Sequence, residues 1–237
     1  MSRRWLIFAI SSSLFFISQF YRVSNAVIAP MLIQDLSLDT EGLGLMSASF
    51  FYAFALTQIP ISLFLDKMGP RNLMTALSAI GILGALVFSW ADSLVLGVTG
   101  RVLLGAGMAC NLMGTFKLLT LWFSPRKFAT LMGVVIAIGT VGNMVATTPL
   151  VVLVENIGWR AGFQLIAAIN LLLTLVFYVV VCDPPADSPD NQGPGSTMSL
   201  HDVFGNMQLL FKQKDYWIIS FSTLVRYGVL AAFQALW

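Results

Sequence analysis

The sequence predicts an all-α polytopic membrane protein: a six-helix bundle of two inverted three-helix repeats, followed by a seventh helix. Three observations lead there. Of 237 residues, 57% are hydrophobic and only 10% are charged, against about 45–50% apolar and 25% charged in soluble domains. Such a chain cannot cover its surface with polar groups, which excludes a soluble globular enzyme. The apolar residues fall into seven long runs, each near the roughly 20 residues that cross a bilayer. Finally, the chain matches itself at an offset of 89 residues.

The spans follow in order. The first covers Trp5 to Ile33. Its Arg3-Arg4 start looks like a secretory leader, but further long apolar runs make it the first of several spans. The second runs from Leu43 to Leu65, the third from Asn72 to Ala91, the fourth from Leu94 to Phe123. The fifth covers Phe128 to Val154 and the sixth Trp159 to Cys182. Residues 1–182 therefore form a six-helix bundle. Residues 183–216 carry Pro184, Pro185, Pro189, Pro194, Gly193 and Gly195 and read as a polar connecting loop. Within it, Leu200 to Phe211 has the pattern of a short amphipathic surface helix, and His201 reads as solvated. Residues 217–237 are a seventh span, still apolar where the sequence stops at Trp237.

Arginine and lysine set the orientation. With the N-terminus in the cytoplasm, inner segments hold eight basic residues: Arg3, Arg4, Lys67, Arg71, Arg126, Lys127, Lys212 and Lys214. The outer loops hold one, Arg160. This is the pattern of a multi-pass plasma (inner) membrane protein. The net charge of +2 gives no support for nucleic-acid binding. Cys110 and Cys182 are far apart and lie in apolar runs, so no disulfide framework is expected.

In the repeat, Pro60 meets Pro149, Asp66 meets Glu155, Gly69 meets Gly158 and Arg71 meets Arg160. Gly44 meets Gly133, Ala79 meets Ala168 and Ile80 meets Ile169. Each unit holds three spans, an odd number, so the second copy is inverted in the membrane. Inverted three-span repeats are a construction of secondary transporters, with the solute site near the midplane between repeats.

Charges within spans are functional candidates by default, because each costs at least ~2.5–3.5 kcal/mol at the bilayer centre. Arg22 lies within about 6 Å of the middle of the first run, at 1.5 Å per residue. Gln19, Tyr21 and Asn25 make its surroundings polar. Arg226 lies near the middle of the seventh run, among Ser222, Thr223 and Tyr227. Arg101 and Lys117 share the fourth run, about 160° and 24 Å apart, so they cannot face one cavity at one depth. Either could touch a solute or a gate, and Lys117 could simply snorkel. Gly100, Gly107, Asn111 and Gly114 make a small-residue face suited to close helix packing. Asn111 is the repeat counterpart of Arg22 and a candidate polar contact. No carboxylate lies at matching depth in any span. Two midplane arginines without an acid argue for an anionic solute, since guanidinium groups bind carboxylate or phosphate as forks. The candidate solute contacts are thus Arg22, Arg226, Asn111, Tyr21 and Lys117. No metal cluster, nucleophile set or cofactor motif is present, so an enzyme is not expected.

The turn Asp66-Lys67-Met68-Gly69-Pro70-Arg71 joins two spans with almost no loop. It resembles the signature loop between the second and third helices of the major facilitator superfamily, Gly-x-x-x-Asp-Arg/Lys-x-Gly-x-Arg/Lys, with Ser62 in place of the first glycine. Arg101, with Gly105 and Gly107 after it, is similar to the family's fourth-helix motif. Gly158-Trp159-Arg160 followed by Phe163 resembles the turn that opens its sixth helix. The resemblance implies twelve helices in two six-helix halves that move by alternating access. It implies that Asp66, Lys67, Gly69, Arg71, Arg101, Gly105 and Gly107 serve conformational switching. It further implies that Arg22 and Arg226 hold a small organic anion from opposite halves, as in organophosphate and organic-anion transporters. The expected partners are that solute, the lipid bilayer and a C-terminal half missing from these residues. The chain thus reads as truncated and inactive alone. The alternative is a membrane sensor of the same fold that binds a solute without moving it.

Overall fold

The computed structural model describes residues 3–182 and 213–236, with the side chains of Leu63, Asp66, Tyr227 and residues 230–236 excepted. The expected surface helix at Leu200 to Phe211, His201 and the end of the seventh span at Trp237 lie outside the described residues. The described helices are α1 (Arg3–Val27), α2 (Ala29–Leu36), α3 (Thr40–Ser89), α4 (Leu94–Met108), α5 (Asn111–Trp122), α6 (Pro125–Val145), α7 (Thr148–Val180) and α8 (Lys214–Leu236). Among the described residues, six segments are long and apolar enough to cross a membrane: Arg3–Val27, Thr40–Ser62, Lys67–Ser89, Leu94–Trp122, Pro125–Val145 and Thr148–Val180. The chain is an all-α polytopic membrane fold. α8 belongs to a separate unit, Gln192–Trp237, and is described by itself.

Local chemistry sets the ends, and it shifts several expected boundaries. The first span stops at Val27 rather than Ile33, because Pro30 has no N–H and crowds the preceding turn. α2 then ends at Ser37, whose left-handed φ of 50° closes it. Asp39 caps α3 by accepting from the Gly42 N–H at 2.7 Å. The second and third spans form one helical run, broken only at Gly69, which has φ 75° and ψ 157°. The fifth span interrupts at Ala146–Thr147, where Pro149 opens a new helix, and the fifth and sixth spans part within that helix. That helix turns at Gly158, with φ 80° and ψ 154°. Gly69 and Gly158 are the two glycines of the described backbone with positive φ, and the 89-residue offset pairs them.

The repeat is visible in packing as well. A Cβ added at Gly105 would strike the carbonyl oxygen of Phe50, so the fourth span crosses the second at backbone contact. Gly142 makes the same approach to the Phe16 carbonyl and Gly139 meets the ring of Phe15, bringing the fifth span onto the first. The offset carries Phe50 onto Gly139 and Phe16 onto Gly105. One crossing is therefore made twice, with the glycine on opposite partners. The two turns lie at opposite ends of the bundle. Arg71, beyond Gly69, donates to Tyr178 O at 3.0 Å. Arg3 reaches Val180 O, the same end of α7, at 3.4 Å. Arg160, beyond Gly158, donates instead to Ala91 O at 3.0 Å, just past the end of α3. These contacts define a near end, holding Arg3 and the Gly69 turn, and a far end, holding the Gly158 turn. The second repeat is inverted.

α1, α4 and the second half of α3 form the buried centre. A far-end apolar cluster gathers Tyr21, Phe50, Phe88, Leu104, Trp159 and Phe163. A near-end cluster gathers Ile7, Leu14, Met74, Cys110 and Phe177. Many large apolar side chains elsewhere face outward, such as Leu56, Val95 and Val179, as expected where the solvent is lipid.

Candidate functional site

The fourth span does not run unbroken from Leu94 to Phe123. It interrupts at Ala109–Cys110, between α4 and α5. The freed carbonyls are taken by neighbouring spans: Ser18 Oγ donates to Met108 O at 3.2 Å, and Gln58 Nε2 donates to Ala109 O at 3.3 Å. A backbone break inside a bundle persists only where such partners exist.

Arg22 is half-buried on α1, and its guanidinium lies 5.4 Å from the ring centroid of Phe51 on α3. One turn on, buried Asn25 donates through Nδ2 to Ser47 Oγ at 2.7 Å, while its Oδ1 is buried without a partner among the described residues. The half-buried guanidinium beside an aromatic face supplies the donors a small polyoxygenated anion needs, while Asn25 Oδ1 and Ser47 Oγ, whose hydroxyl donates to Leu43 O at 2.9 Å, offer acceptors suited to hydroxyl groups of a solute. Arg22 sits further from the middle of its span than the sequence suggested. With the span ending at Val27, Arg22 is seven residues past its centre, or about 10 Å toward the far end.

The other candidates separate into layers. Tyr21 is fully buried, with its ring 6.0 Å from that of Phe163. Asn111 is fully buried and donates to Leu14 O at 3.3 Å, tying the fourth span to the first. Gly100, Gly107 and Gly114 all press on the third span, at Phe88, Gly81 and Met74, so this face is a close helix contact. Lys117 is half-buried on α5. Arg226 lies exposed on α8, in the separate unit. Lys67 is exposed, and Arg71 lies 4.3 Å from the ring of Tyr178 while it holds that residue's carbonyl. The side chain of Asp66 lies outside the described residues.

Arg101 departs most from expectation. It faces no open surface and is fully buried. Its Nη1 donates to Tyr21 O at 3.1 Å, and its guanidinium lies 4.6 Å from the Phe50 ring.

One cluster escaped the sequence reading. At the far end, Asp35 Oδ2 accepts from Trp159 Nε1 at 2.9 Å and from Arg160 Nη1 at 2.5 Å. The Trp159 and Arg160 bonds hold the Asp35 carboxyl below its ordinary value. With the Arg160–Ala91 bond, three connections are braced together: the one after the first span, the one after the third and the Gly158 turn. The acid was the available signal, since Asp35 is a carboxylate just past the first apolar run, opposite a lone outer arginine.

The sequence profile of the Major Facilitator Superfamily matches residues 9–236. The chain belongs to the major facilitator superfamily. Among curated relatives, a probable sulfoacetate transporter of Cupriavidus necator is 26% identical over 200 residues, covering 84% of this chain and 46% of that protein. A probable galactarate/D-glucarate transporter of Escherichia coli is 22% identical over 203 residues, covering 82% and 43%. A nitrate/nitrite transporter of Picosynechococcus is 25% identical over 219 residues, covering 81% and 39%. The chain thus spans about half the length of the curated relatives it matches. In fold it is similar to a bacterial homologue of the human lysosomal transporter Spinster, solved inward-facing, with TM-score 0.71, 18% identity, and 88% and 50% of the two chains covered. Among these superfamily proteins, this chain is an integral, multi-pass membrane member.

Proposed function

We propose that this superfamily chain serves secondary active transport of a small organic anion by alternating access, supplying the half that carries Arg22. The observation behind this is the half-buried Arg22 guanidinium over Phe51, in a span without any acid. Curated relatives named for sulfoacetate and for galactarate/D-glucarate support the anionic class. Arg22 is the direct contact in this reading, Asn25 and Ser47 line the cradle, and Tyr21 and Asn111 support it from within the core. Arg226 is the contact from the seventh helix, and Lys117 draws the anion inward. Asp66, Lys67, Gly69 and Arg71 form the switching turn, and Arg101, Gly105 and Gly107 fix the fourth span. The setting is a plasma membrane with the N-terminus in the cytoplasm.

The test is anion binding by the chain in lipid nanodiscs, followed by calorimetry with sulfoacetate and D-glucarate as probes. Arg22→Gln is expected to weaken binding at least about tenfold, the effect of losing a charge-assisted hydrogen bond of ~1.5–3 kcal/mol. Equal affinity in the two proteins removes Arg22 from the site.

A further inference from the structure

Among the fully buried side chains of the described residues, Arg101 is the largest. Its Nε and Nη2 have no hydrogen-bond partner among the described residues. A buried guanidinium is costly to fold around unless its neighbours hold it. The Phe88 ring lies 5.9 Å away, and the two nearer contacts fall on Tyr21 and Phe50. Nη1 donates to the carbonyl of Tyr21, the chain neighbour of Arg22. The guanidinium plane covers the ring of Phe50, the chain neighbour of Phe51, on whose ring Arg22 rests. Arg101 therefore grips the residue preceding each member of the Arg22–Phe51 pair.

Both grips are firm. The Tyr21 carbonyl also accepts from Ser24 Oγ at 3.0 Å, so it is held from two directions. The Phe50 and Phe51 rings are 5.5 Å apart and nearly perpendicular, so fixing one limits the other. One turn along α4, Gly105 allows the helix backbone to touch the Phe50 carbonyl. Arg101 also lies at the level of Arg22, seven residues to the far-end side of the centre of its own span.

We propose that Arg101 is a positioning residue for Arg22: it locks the α1 backbone at Tyr21 and the α3 ring platform at Phe50, so that Arg22 is presented to the anion in one orientation. This rests on the anion-site reading of Arg22 and goes beyond the switching role that the fourth-helix motif implies. Arg101 touches no solute itself.

A double-mutant cycle tests it, with sulfoacetate titrated into the full chain in nanodiscs. Arg101→Gln is expected to weaken binding roughly tenfold, and to cause no further loss in an Arg22→Gln background, because residues linked through a shared backbone segment couple. Arg101→Lys is expected to resemble Arg101→Gln, since a compact ammonium keeps the charge but cannot both lie over the Phe50 ring and donate to the Tyr21 carbonyl. Additive losses, or full rescue by lysine, mean that Arg101 acts on the anion through its charge and overturn the proposal. Unchanged affinity in Arg101→Gln with a loss in Arg22→Gln overturns the positioning role and leaves the anion site standing. No loss in Arg22→Gln, or no binding by the unaltered chain, overturns the anion site and this role with it. A ligand-free readout stands beside the cycle. A spin label at Arg22→Cys is expected to gain mobility when Arg101→Gln is added, while one at Ser13→Cys keeps its spectrum. No change at position 22, or equal loosening at both, overturns the proposal. If Arg101→Gln does not fold, Phe50→Leu takes its place in both measurements, with the same expected results.

Discussion

At the scale of single residues, the spans carry cations in two different states. Arg22 is half-buried against an aromatic ring, while Arg101 is sealed in the core and holds a backbone carbonyl. Sequence depth alone could not separate them, because both are arginines in apolar runs. What separates them is which helix face meets a neighbour. Outside the spans, the Asp35 carboxyl is held ionised by Trp159 and Arg160, so its folded pKa lies below its unfolded one. A depressed carboxyl contributes stability that is complete above the unfolded value and fades as pH falls through the folded one. Asp35→Asn is therefore expected to lower stability at neutral pH by at most ~1 kcal/mol, since the pair is about two-fifths exposed. The difference from wild type should vanish in acid, below the ordinary carboxylate range. Thermal unfolding in detergent across pH checks this, and a difference that persists in acid removes the ionised carboxyl as its source.

At the scale of elements, glycine positions decide how closely helices approach. Gly107 meets the backbone of Gly81, whereas a Cβ added at Gly133 would meet nothing within 4 Å. Gly107→Leu is expected to cost about 1–3 kcal/mol or more, because a rigid backbone has to move. Gly133→Ala is expected to gain roughly 0.5–1 kcal/mol from reduced unfolded-state freedom. The two melting temperatures in detergent should move in opposite directions; a shared direction refutes the packing account. At the paired turns, Gly69→Ala and Gly158→Ala should each cost about 1–2 kcal/mol, because alanine resists positive φ. Similar losses at the two sites would reflect the matched backbone angles, and a loss at only one would break the equivalence. These turns were legible in sequence from Gly69-Pro70 and Gly158. The break at Ala109–Cys110 was not, since no proline or glycine occupies it. It is stabilised by Ser18 and Gln58, which come from other helices.

At the scale of the whole molecule, the described bundle is two three-span repeats crossing each other through equivalent contacts. Each repeat ends on a helix whose terminal carbonyls are held by the other repeat's turn arginine, Arg71 at the near end and Arg160 at the far end. The ends are not equal, because Asp35 adds a carboxylate to the far brace and its counterpart by the offset is Ser124.

The sequence by itself determined the solvent, the helical class, the repeat and the paired glycine turns. Those follow from composition, from run length set by bilayer thickness, and from proline and glycine, whose effects act within a few residues along the chain. The tertiary structure alone decided which cations meet the interior and which meet an open face. It also placed Asn111 in a helix crossing, joined Asp35 to Arg160, and set Arg101 behind Arg22. The physical reason is that such contacts depend on helix rotation and separation. Those are fixed by packing between residues tens of positions apart or more, which no local pattern records.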